Sequence, residues 1–131
     1  MENRIKKMLR LIYPKSGDSV SCGTIIEDEM ARLLLISEKG KAKLVPQSEI
    51  KLQRYGGRGY DLLRQGPSGD DKLVASLSVK ETQQVILVSS GGLLAKKHIS
   101  VMRLAHKHHK MKKFWQKGAM EGTVSFATPF D

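Results

Sequence analysis

Leu33-Leu34-Leu35-Ile36-Ser37-Glu38-Lys39-Gly40 and, 52 residues further on, Val85-Ile86-Leu87-Val88-Ser89-Ser90-Gly91-Gly92 are one pattern written twice. Each begins with four apolar residues, passes through a serine and closes on a glycine. A short apolar run bounded by a turn signal is the mark of a buried strand, and a second β-favouring run after the turn makes a hairpin. The same shift lays Ser48 on Ser100 and Ile50 on Met102, giving four identities over the 18 positions from Leu33 to Ile50. A period near fifty residues with β character matches a propeller-type blade, commonly about four strands. The expected fold is therefore all-β with minor α: a duplicated β unit, propeller-like, of two blade repeats.

Outward from these hairpins, Cys22 to Ile26 and Leu73 to Val79 are further candidate strands. Ile5, Met8, Leu9 and Ile12 fall at helical spacing ahead of Pro14, which predicts a short N-terminal helix. Leu104, His108, Met111 and Trp115 share that spacing and predict a C-terminal helix over Arg103 to Lys117. The glycine-rich stretches at 53–59 and 65–71 are loops. The division that follows is an arm at 1–18, a first repeat at 19–65, a second at 66–105 and a basic segment at 106–131.

Composition narrows the function. The 131 residues carry 23 Lys and Arg against 13 Asp and Glu, a net charge of +10. The surplus is patterned: residues 31–60 hold seven basic and two acidic side chains, and residues 91–131 eight and two, whereas the rest nearly balances. Two basic blocks on a small domain suit an anionic partner, with a merely solvated surface as the plainer alternative. No apolar run exceeds four residues, far short of the roughly 20 a bilayer span needs, so no membrane partner is expected. Cys22 is the single cysteine, which excludes an internal disulfide and a multi-cysteine zinc site. His98, His106, His108 and His109 lack evident third and fourth metal ligands and read as a surface cluster. No nucleophile elbow, phosphate loop or paired catalytic carboxylates are found, so neither enzyme activity nor a cofactor is expected.

One further stretch is specific. Leu33 to Gly40, then Pro46-Gln47-Ser48-Glu49-Ile50, then Gln53-Arg54-Tyr55-Gly56-Gly57-Arg58-Gly59 resembles the C-terminal DNA-wrapping domain of the DNA gyrase A protein and its topoisomerase IV counterpart. In that family a hydrophobic Ser/Thr-Glu-Lys-Gly segment leads to Pro-x-Ser-Glu and then to a Gln-Arg-Arg-Gly-Gly-Lys-Gly box. Here the box departs at Tyr55 and, conservatively, at Arg58; the second repeat resembles a blade without a box. The resemblance spans about residues 20–105. It implies a β-pinwheel whose basic rim binds and bends duplex DNA, a cytoplasmic, nucleoid-associated setting, and a gyrase- or topoisomerase IV-like enzyme as partner. Two blades leave open strand edges, so self-association into a larger ring is a further expectation. The alternatives are a protein- or RNA-interaction module, or a truncated remnant that no longer wraps DNA.

The candidate contact residues suit that work. Gly56, Gly57 and Gly59 allow close backbone approach to phosphate, while Arg54 and Arg58 offer planar, bidentate donors. Gln53 and Tyr55 complete the box. Lys39, Lys41, Lys43 and Lys51 extend a cationic track from the same repeat, Lys41 and Lys43 sharing one face of their strand by the period of two. Lys96, Lys97 and Arg103 supply the second repeat's share.

Overall fold

The computed structural model describes residues 21–25, 30–50, 69, 71–105, 110–113 and 122–131. Both quoted stretches fold as the sequence predicts. Strands β1 (Arg32–Ser37) and β2 (Lys41–Pro46) form the first hairpin, and β4 (Gln84–Ser89) and β5 (Leu94–His98) the second. Gly40 and Gly92 take φ values of 84° and 87°, a left-handed region that costs any residue with a Cβ. In each turn the glycine N–H donates to the serine carbonyl, Gly40 to Ser37 and Gly92 to Ser89, both at 3.1 Å. The same buried serines also accept through their hydroxyls, from the Lys41 N–H and the Leu93 N–H at 3.1 Å each. Identity of Ser37 with Ser89 under the shift is thus explained, because a buried hydroxyl needs a partner and both find the same one.

The repeat extends beyond the hairpins. Each second strand runs into a short 3-10 turn, Gln47–Glu49 and Ile99–Val101. Each first strand also takes a late-arriving antiparallel partner: β3 (Leu73–Val79) on β1 and β7 (Val124–Phe130) on β4. The register slips at equivalent places, between Ile36 and Ser37 and between Val88 and Ser89. A two-residue strand, β6 (Lys112–Lys113), completes the first sheet in the order β3-β1-β2-β6; the second sheet is β5-β4-β7. Strand β3 lies within the range 66–105 expected of the second repeat yet pairs with β1, so the first sheet draws on both expected repeats.

Packing between the sheets is head-to-tail. Leu34, Ile36 and Leu44 of the first sheet meet Val85, Leu87 and Ile99 of the second in one core. Under the 52-residue shift Val85 and Leu87 correspond to Leu33 and Leu35, which lie on the opposite face of the first sheet. There they form a second core with Val45 and Met111. The first sheet is therefore buried on both faces, which is why β1 is continuously apolar rather than alternating. No helix among the described residues is long and apolar enough to cross a membrane.

Two expectations meet the structure differently. Residues 22–25 of the expected strand from Cys22 to Ile26 are not in a strand. The segment lies along β3 through side chains, the Ser21 hydroxyl donating to the Leu73 carbonyl at 2.7 Å and the Thr24 hydroxyl accepting from the Ser78 N–H at 3.3 Å. Hydroxyls that capture edge groups take the place of a backbone ladder, and Cys22 between them is half-buried. The expected helix from Arg103 to Lys117 is extended over its described residues, 103–105 and 110–113. Leu104 bridges to Leu44 in parallel, the Ala105 N–H donates to the Leu44 carbonyl at 2.7 Å, and Lys112 and Lys113 pair with Ala42 and Lys41. The open edge of β2 offers backbone partners that outweigh a weak helical propensity. The N-terminal helix at 3–12 and the box at 53–59 lie outside the described residues.

Candidate nucleic-acid interface

Stitching the segment after the second repeat onto β2 creates a groove of about 340 Å³. Six of its lining residues are cationic: Lys43 from β2, Lys97 from β5, Arg103, Lys110, and Lys112 and Lys113 of β6. The remaining lining among the described residues is apolar, including Ala42, Leu44, Met102 and Leu104. The volume would hold roughly ten waters at liquid density, room for a phosphodiester with part of its hydration. Cations gathered against low-dielectric walls focus a positive potential, which draws an anion toward the groove. Arg103, Lys110, Lys112 and Lys113 are exposed, open to an extended polyanion at the groove mouth.

The other candidate residues spread around this centre. Lys39 is exposed on the first hairpin turn and Lys41 half-buried at the start of β2. Lys43 shares the face of Lys41, as its spacing requires, but that face is the second core. The side chain is only 3% exposed, in the groove wall. Lys96 points from the outer face of the second sheet, its ammonium 5.8 Å from the centre of the Phe130 ring. The structure thus brings Lys43, Lys97 and Arg103 together and leaves Lys39 and Lys96 elsewhere. Lys51, Gln53, Arg54, Tyr55, Gly56, Gly57, Arg58 and Gly59 are outside the described residues. Lys110, Lys112 and Lys113 are the additions; their density is visible in the sequence, but a helical reading scatters them around a cylinder instead of along one sheet edge.

Hairpin blades with late-arriving third strands, packed head-to-tail, make an all-β fold of β-pinwheel type, seen also in a topoisomerase C-terminal domain. The crystal structure of the C-terminal domain of DNA topoisomerase IV superposes with a TM-score of 0.71 over 85% of this chain and 37% of that one, at 10% identity. In sequence, the DNA gyrase A protein of Campylobacter fetus is 28% identical over 93 residues, which is 71% of this chain and 11% of that protein. No family model matches the sequence. The two likenesses together bear out the resemblance to a gyrase A C-terminal domain, carried by a chain that spans only a small part of such proteins.

Proposed function

We propose that this chain is a non-catalytic module that binds duplex DNA through its phosphate backbone and bends or wraps it, acting with a gyrase- or topoisomerase IV-like enzyme. The observation that carries the reading is the groove that draws six cationic side chains together, on the fold of a topoisomerase C-terminal domain. Wrapping requires no base reading. It requires cations along a curved surface, each neutralised phosphate releasing condensed counterions. Arg103, Lys110, Lys112 and Lys113 supply such a row, with Lys39, Lys41 and Lys97 on the same two sheets; the box from Gln53 to Gly59, with Lys51 beside it in sequence, is the further candidate contact.

Fluorescence anisotropy on two duplexes of unrelated sequence tests this. One variant combines Arg103→Ala, Lys110→Ala, Lys112→Ala and Lys113→Ala; a second combines Arg54→Ala and Arg58→Ala. Each is expected to weaken binding about tenfold or more, equally on both duplexes, since phosphate contacts carry no sequence information. Unchanged affinity in both variants would remove the reading.

A further inference from the structure

The head-to-tail packing leaves one face unanswered. In the first sheet, the cross-strand row of Ala42, Ile36 and Ala75 is buried against the face of the second sheet that presents Val85 and Leu87. The equivalent row in the second sheet is Leu94, Val88 and Phe126, set side by side by the register of β5, β4 and β7. Nothing among the described residues covers it: Leu94 is 64% exposed and Phe126 56%. Strand β5 is also the edge of its sheet, whereas its counterpart β2 carries β6. A repeat that merely closed the stack would be polar here. Instead two alanines of the first repeat are replaced by a leucine and a phenylalanine, which enlarges the apolar surface.

We propose that the face centred on Leu94, Val88 and Phe126 docks this chain onto a blade of a gyrase A-type C-terminal domain. The blade would seat a sheet face like that of Val85 and Leu87. The molecule itself supplies the template, because the first repeat buries its smaller equivalent row, Ala42, Ile36 and Ala75, against such a face. A second copy of this chain is a poor occupant. Its matching face, Leu33 and Leu35, is already covered together with Met111. Edge pairing of β5 with itself about a two-fold axis would oppose Lys96 to Lys96. The inference rests on the partnership with a gyrase-like enzyme proposed above and gives that partnership a surface.

The test measures binding of the full chain to the purified gyrase A protein of the organism that encodes it, by biolayer interferometry, beside duplex binding and light scattering of the chain alone. The variant combines Leu94→Glu with Phe126→Glu; both positions are exposed, so the fold is expected to persist, checked by unchanged thermal unfolding. If that melt shifts, Leu94→Ser with Phe126→Ser replaces it. The expected result is a complex with the gyrase A protein that weakens at least tenfold in the variant, while duplex affinity stays within twofold. A wild-type chain that docks on the gyrase A protein but binds neither duplex would instead overturn the DNA reading, and docking that still weakens in the variant would leave this one standing. Equal binding to the gyrase A protein by variant and wild type would overturn the docking face. So would no binding by wild type, or a doubled mass of the chain alone that the variant abolishes, which would assign the face to a second copy.

Discussion

Gly92 and Gly122 separate two costs that a glycine can hide. Both have positive φ, 87° and 79°. A Cβ at Gly92 would meet nothing within 4 Å, so Gly92→Ala isolates the backbone penalty, about 1–2 kcal/mol. A Cβ at Gly122 would collide with the hydroxyl of Ser90, which accepts the Thr123 N–H at 3.0 Å. Gly122→Ala is therefore expected to destabilise further than Gly92→Ala. Urea unfolding of the two variants checks this, and equal midpoints would contradict it. At this scale the sequence is partly legible: the shift that aligns Gly40 with Gly92 marks a turn glycine, but nothing near Gly122 announces that a serine from another turn packs against it.

Elements show the same boundary between local and distant causes. The hairpins are legible because their strands, turn glycine and buried serine are adjacent in the chain. Strand β6 is not, because its extended form is imposed by the edge of β2, some seventy residues earlier. The tie between the first hairpin and β3 is likewise distant. The buried Asp71 carboxylate accepts from the Lys39 N–H at 3.1 Å and the Lys72 N–H at 2.9 Å, clamping the turn onto the lead-in of β3. The sequence suggests only a turn-forming aspartate. Asp71→Ala leaves the Lys39 N–H without that acceptor and is expected to cost about 1–3 kcal/mol. Asp71→Asn keeps one carbonyl oxygen and should lose clearly less. Denaturation midpoints of the two variants decide it, and equal losses would show that the clamp contributes nothing specific.

For the whole molecule, charge and topology have to be taken together. The sequence holds two basic blocks, and their separation along the chain suggests two separate patches. The fold instead brings a lysine of the first block, Lys43, into one groove with five cations of the second, because the segment after the second repeat returns to the first sheet. Periodicity places Lys41 and Lys43 on one face but does not say that the face is a core. The +10 charge thus gains a centre on a fold shared with the topoisomerase IV C-terminal domain. The most direct test of that account is duplex affinity of the wild-type chain and of the Arg103, Lys110, Lys112 and Lys113 alanine variant across a salt series from about 50 to 200 mM. The account predicts that log affinity falls linearly with log salt. It also predicts that the variant's slope is shallower by about 0.9 for each phosphate no longer neutralised, up to about 3.6. Salt-insensitive binding by the wild type, or identical slopes for the two proteins, would contradict it.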